Sequence, residues 1–185
     1  IFRLSVPEAA KVAVFQGDFW QAGLEMKPGR IYEFAAEVAD NLLRLPENAR
    51  GDYLFSPEVL RLRVERGTIY LHAIDTHGAG SRELLPSEQP SKRWLAWGSS
   101  ITHADTYGYI FQAAHRLGVD VLDKGLSGSC GAEPEVAEFL VNECEWDFAT
   151  CEWGVNMRDS VEPNDFRQRV HGCLDHFVPT GKPVF

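Results

Sequence analysis

The sequence predicts an α/β protein in two parts: an antiparallel β-sandwich over residues 1–88, then a parallel sheet with helices on its faces over residues 93–185. Three observations predict it. Before residue 88 the chain reads as short strands broken by frequent turns, with no sustained helical repeat. After residue 93, apolar strand-like runs alternate with helical segments, the pattern of a parallel sheet. Between them, residues 84–91 carry Pro86 and Pro90 and little apolar content after Leu85, as a linker does.

In the first part the expected strands are Val12–Phe15, Arg30–Phe34, Val59–Val64 and Thr68–Ala73. Val59–Val64 alternates apolar with polar residues, as a half-buried antiparallel strand should. Arg66-Gly67 fits a tight hairpin turn into the next strand. Turn residues recur at Lys27-Pro28-Gly29, Pro46-Glu47-Asn48 and Ala49-Arg50-Gly51-Asp52. Arg50-Gly51-Asp52 is read as turn chemistry, not as an adhesion signal.

The second part opens with an apolar strand, Trp94–Trp97. A helix follows over Thr106–Leu117, with Tyr109, Ile110, Ala113 and Leu117 on one face and Gly118 to end it. Val119–Leu122 gives a second strand and Pro134–Cys144 a second helix, its proline suited to a first turn. Asp147–Trp153 gives a third strand. Pro163–Phe177 gives a third helix, with Phe166, Val170, Leu174 and Phe177 in register. Pro183-Val184-Phe185 begins a fourth strand.

Composition narrows the function. The 185-residue chain carries 27 acidic against 18 basic residues, a formal net charge of −9. That balance, with no Lys/Arg run, speaks against nucleic acid or an anionic membrane as partner. No segment approaches the roughly 18 consecutive apolar residues of a membrane span. Cys130, Cys144, Cys151 and Cys173 form no C-x-x-C pair, so zinc and thioredoxin-like redox chemistry lack a basis. Cys151, in an apolar strand, is read as a small core residue; the four could also make two disulfides, but a normal core makes such staples unnecessary, which favours a reducing, cytoplasmic compartment. No histidine pair has metal-ligand spacing, so neither a metal nor a cofactor is expected. A Walker-type lysine is also absent, which counts against nucleotide chemistry at the Gly98 loop.

The chemistry is concentrated at three strand ends. Gly98-Ser99-Ser100-Ile101-Thr102 follows the first strand, Lys124-Gly125-Leu126-Ser127-Gly128 the second, and Trp153-Gly154-Val155-Asn156-Met157 the third. In an open parallel sheet, loops after successive strands emerge on the same edge, where ligands bind. A serine between strand and helix meets outward-pointing N–H groups and the positive end of a helix dipole. Ser100 is the candidate nucleophile. Gly128 offers a backbone N–H that a carbonyl can approach closely, and Asn156 a neutral side-chain donor.

Serine, glycine and asparagine in this order resemble the SGNH, or GDSL-type, hydrolases. The resemblance covers roughly residues 93–185, and Glu152–Met157 looks like the branch that carries an N-terminal β-sandwich. It implies a three-layer hydrolase domain and a serine esterase or acyltransferase. Ser100 would attack, while the Ser100 N–H, the Gly128 N–H and the Asn156 amide would stabilise the oxyanion. It also implies small acyl esters, such as acetylated sugars, as substrates. Ser99 stands where the family has aspartate, which leaves two serines to choose between; the alignment favours Ser100. Met157 stands where aspartate is common. The family's C-terminal Asp-x-x-His is missing, since Asp175-His176 is adjacent and lies within a predicted helix. The expectation is therefore a longer natural protein, with its catalytic His and Asp beyond Phe185.

Other residues keep open readings. Glu152, in an apolar strand, is either a hydrogen-bonded structural carboxylate or a support for the asparagine loop. His103 lies near Ser100 in sequence without needing to face it. His115 and His171 fall on helices and read as surface residues. A rival to the enzyme is a non-catalytic carbohydrate-binding or interaction protein on an SGNH-like scaffold, with Phe19, Trp20 and Tyr53 either stacking on sugars or packing in the core.

Overall fold

The computed structural model describes residues 1–45, 53–103 and 107–185. The turns expected at 46–48 and 49–52, including Arg50-Gly51-Asp52, lie outside the described residues, as does Thr106. The chain divides into two compact units, Ile1–Gln89 and Pro90–Phe185.

Among the described residues, the first unit holds six strands: β1 (Phe2–Ser5), β2 (Ala10–Gln16), β3 (Phe19–Met26), β4 (Tyr32–Phe34), β5 (Leu60–Arg66) and β6 (Tyr70–Ile74). They form two antiparallel three-stranded sheets, ordered β4-β1-β6 and β3-β2-β5. One apolar cluster draws on both sheets: Leu4 from β1 and Tyr32 from β4 meet Val12, Met26 and Leu62 of the other sheet. A four-residue helix, α1 (Asp40–Leu43), lies between β4 and β5.

Two strands, β1 and β3, were not expected from the sequence. β3 contains Gly23 and Ala22, both poor strand formers, and is held by its pairing with β2. The hairpin expected at Arg66-Gly67 is not one: β5 and β6 belong to different sheets. Gly67 (φ 78°) instead carries the chain between them against Ala9 and Ala10, where a Cβ would meet the Ala9 carbonyl at 2.8 Å. The tight hairpin is β2–β3, turning at Gly17 (φ 57°) and Asp18.

The second unit holds β7 (Arg93–Gly98), α2 (Tyr109–Leu117), β8 (Asp120–Gly125), α3 (Pro134–Glu143), β9 (Phe148–Glu152) and α4 (Pro163–Phe177). Its sheet is parallel, ordered β8-β7-β9. Val184 extends it by a parallel bridge to Ala149. The central β7 is buried on both faces, because its side chains alternate between two cores. Leu95 and Trp97 face Ala137 and Leu140 of α3 and Cys173 and Phe177 of α4. Trp94 and Ala96 face Ile110 and Ala114 of α2. Trp97 stacks edge-on against Trp153 at 5.0 Å between ring centroids. Gly118, left-handed at φ 67°, closes α2 by donating its N–H to the Ala114 and His115 carbonyls. Among the described residues, no helix is long and apolar enough to cross a membrane.

Candidate active site

The register of the parallel sheet decides which loops are neighbours. Gly98, the last residue of β7, pairs with Gly125 at the end of β8 and with Glu152 at the end of β9. The segments carrying Ser100, Gly128 and Asn156 therefore leave the sheet at one edge, from adjacent strands. Two close approaches tie the first two segments together. The Leu126 N–H donates to the Gly98 carbonyl at 2.7 Å. Gly125 lies against the backbone of His103, so that a Cβ there would overlap His103 N and Cα.

The two serines of the first segment have different environments. Ser99 is buried at 1% exposure. Its hydroxyl donates to Glu152 Oε2, and its N–H donates to the same oxygen at 2.9 Å. Ser99 Oγ also accepts the Ile101 N–H at 3.1 Å. Ser100 is exposed, and no described side chain hydrogen-bonds it. It sits in a single turn closed by the His103 N–H to the Ser99 carbonyl at 2.9 Å. The helix expected to begin close behind it starts at Tyr109, so the dipole of α2 does not act at Ser100 as the sequence suggested.

Gly128 is exposed, with φ at +73°, in a turn closed by the Ser129 N–H to the Leu126 carbonyl at 2.9 Å. A positive φ there suits glycine and leaves its backbone uncovered by a side chain. The Asn156 side chain reaches across to this loop: its Oδ1 accepts the Cys130 N–H at 3.1 Å. That bond fixes the amide, so its NH₂ group is the end left for another partner. Sequence reasoning treated Asn156 only as a donor and missed its tie to Cys130.

Thr102 was also missed. It is buried at 1% exposure and donates to Glu152 Oε2 at 3.3 Å. Its hydroxyl further pairs with the Tyr109 hydroxyl at 3.2 Å, linking the turn to α2. Glu152 thus accepts from Ser99 N, Ser99 Oγ and Thr102 Oγ1. An acid in an apolar strand, two residues before the Gly154-Val155-Asn156 segment, was the available signal.

The remaining candidates fall elsewhere. Burial raises the thiols of Cys130 to about 11 and of Cys151 and Cys173 to about 12, so they stay protonated and inert at neutral pH. Cys130 and Cys173 belong to the core between the sheet, α3 and α4. His103, His115 and His171 are exposed, and His72 bonds Ser5 Oγ at 2.7 Å in the first unit. Asp175 and His176 lie within α4. Phe19 and Tyr53 pack edge-to-face at 5.2 Å, whereas Trp20 is 48% exposed. Among the described residues, no group of three or more His, Cys, Asp or Glu side chains could hold a metal ion.

The fold has counterparts among solved structures. The chain is similar to the salicylyl-acyltransferase SsfX3 from a tetracycline biosynthetic pathway, with a TM-score of 0.53 and 16% identity, over 99% of this chain and 54% of that one. A Bacteroides ovatus chain described as a GDSL-like lipase is also similar, with a TM-score of 0.43 and 17% identity, over 92% of this chain and 53% of that one. The chain spans about half the length of these structures. No family model matches the sequence. No curated protein matches it either. The likeness to the acyltransferase is one of fold alone.

Proposed function

We propose that this chain carries the nucleophile and oxyanion donors of an SGNH-type serine esterase or O-acyltransferase. The observation that carries the reading is the division of labour in Gly98-Ser99-Ser100: Ser99 is buried on Glu152, while Ser100 is exposed at the edge that Gly128 and Asn156 share.

In this reading the Ser100 hydroxyl attacks the carbonyl carbon of an ester. Its proton passes to a histidine general base held by a carboxylate. No described histidine hydrogen-bonds Ser100. The negative oxygen of the tetrahedral intermediate accepts bonds from the Ser100 N–H, the Gly128 N–H and the Asn156 NH₂ group. Collapse breaks the ester C–O bond and expels the alcohol, which takes the proton from the histidine. The acyl group is left on Ser100. Water then releases it as a carboxylic acid, or a second alcohol receives it. Likeness of fold to an acyltransferase supports transfer beside hydrolysis, with small acyl esters as the substrate class.

The first unit is read as an accessory β-sandwich. The exposure of Trp20 favours a second role for this unit, in contacting carbohydrate. Titration with oligosaccharides while following tryptophan fluorescence, repeated in Trp20→Ala, tests that role alone.

The direct test of the enzyme is labelling by a fluorophosphonate, followed by peptide mapping. It is run with and without added imidazole, which can stand in for a general base. Adduct at Ser100 is expected, and none in Ser100→Ala. Adduct on Ser99, or equal labelling of Ser100→Ala, overturns the reading.

A further inference from the structure

We infer that Glu152 is the positioning residue of the Ser100 turn, supplying from the neighbouring strand the carboxylate that the turn's own sequence lacks. The inference rests on the serine-hydrolase reading for its link to catalysis, but its geometric part stands apart from it.

Gly98-Ser99-Ser100-Ile101-Thr102 contains no acid or base of its own. A turn of this kind has several backbone N–H groups and hydroxyls to satisfy, and a buried donor without a partner is costly. Glu152 lies one strand away, opposite Gly98 in the parallel register. A single oxygen, Oε2, accepts from Ser99 N, Ser99 Oγ and Thr102 Oγ1. The donors bracket Ser100 on both sides in sequence. Ser99 Oγ passes the constraint on by accepting the Ile101 N–H. Thr102 passes it to α2 through Tyr109.

Gly98 provides the space. A Cβ at position 98 would stand 2.9 Å from both Glu152 Cβ and Oε2, and would overlap the Thr102 hydroxyl. The close approach of carboxylate and turn therefore requires glycine there. Nothing in this network touches Ser100 Oγ, so Glu152 acts through the backbone and not on the reacting atoms. The backbone N–H of Ser100 is held in place by its two neighbours, which matters if that N–H is an oxyanion donor, since such donors work by being fixed beforehand.

The test uses Glu152→Ala and Glu152→Gln in the chain as it stands. Gln keeps an oxygen that can accept from Ser99 and Thr102; Ala does not. Amide hydrogen exchange is followed at Ser99, Ile101 and the β7 residues Trp94–Trp97, and Ser100 labelling by fluorophosphonate is followed in parallel. In Glu152→Ala, exchange at Ser99 and Ile101 should speed up at least about tenfold with β7 unchanged, and Ser100 labelling should fall by a similar factor. Glu152→Gln should recover most of both. Unchanged exchange at Ser99 and Ile101 in Glu152→Ala overturns the inference. Faster exchange throughout β7 overturns it too, because Glu152 would then support the sheet and not the turn. If the turn responds as expected but wild-type Ser100 never labels, the geometric part holds and the serine-hydrolase reading is the one that fails.

Discussion

Replacing Ser99 and Ser100 one at a time by alanine should separate structure from chemistry. Ser99→Ala removes the hydroxyl bond to Glu152 and the acceptor for the Ile101 N–H. A hydrogen bond to a charged group contributes about 1.5–3 kcal/mol and a neutral one about 0.5–1.5 kcal/mol. The Ser99 N–H and Thr102 still serve Glu152, so no charge is stranded. The expected loss is therefore about 2–4 kcal/mol. For a unit of this size that lowers Tm by at least about 8 °C. Ser100 is exposed, and its removal should change stability by no more than about 0.5 kcal/mol. Thermal unfolding by circular dichroism measures both, and fluorophosphonate labelling is read well below either Tm. Ser99→Ala should be less stable yet keep much of its labelling; Ser100→Ala should be as stable as the parent and label not at all. A Ser99→Ala protein with unchanged Tm would falsify the assignment of Ser99 to the buried network. Loss of labelling in Ser99→Ala alone would give the nucleophile's role to the wrong serine in this reading.

Asn156 separates in the same way. Asn156→Asp can still accept the Cys130 N–H but has no NH₂ group, so ester turnover should fall roughly 10²-fold or more while Tm stays near the parent's. Asn156→Ala should lose the activity and, in addition, about 1–3 kcal/mol from the unpaired Cys130 N–H; equal Tm values for the two variants would refute the tie. Gly125→Ala drives a methyl group into the His103 backbone, which cannot swing aside as a side chain would. It should cost about 3 kcal/mol, and a denaturant midpoint equal to the parent's would count against the close contact. The folded thiols of Cys130, Cys151 and Cys173 titrate above the ordinary value of 9.0, at about 11, 12 and 12. The unfolded state loses those protons first. The stability from keeping them buried and neutral is thus complete below pH 9 and declines as pH rises through 11–12. Denaturant unfolding should show that decline, and Cys130→Ser/Cys151→Ser/Cys173→Ser should flatten it; the same slope in the triple variant removes the cause. At pH 8 a thiol reagent should leave Cys130 and Cys173 unmodified until denaturant is added.

The second unit was legible because its signals are local. Trp94–Trp97 is a continuous apolar run, as a strand buried on both faces must be, and Pro163–Phe177 has both a proline start and a repeating apolar face. Alternation of strand and helix then implied a parallel sheet, and the observed register puts Gly98, Gly125 and Glu152 side by side. The first unit was harder to read. β3 has a weak intrinsic preference for strand, and β1 is only four residues long, so both depend on partners distant in sequence. Arg66-Gly67 has hairpin chemistry, but pairing with β2 in one sheet and β1 in the other draws β5 and β6 apart.

At the site, sequence by itself determined the residue types and their order: a serine, a glycine and an asparagine, each just past a strand. Its choice of Ser100 over Ser99 rested on alignment with a resembling family, because adjacent serines in a turn have the same local chemistry. Tertiary structure made them different by bringing Glu152 from another strand beneath Ser99 and leaving Ser100 exposed. It likewise turned Asn156 from a free amide into one fixed on the Cys130 N–H. The physical reason is range. Strand and helix preferences act over a few residues of chain, whereas a buried hydrogen bond is set by register between strands more than 50 residues apart, as the 53-residue separation of Ser99 and Glu152 illustrates.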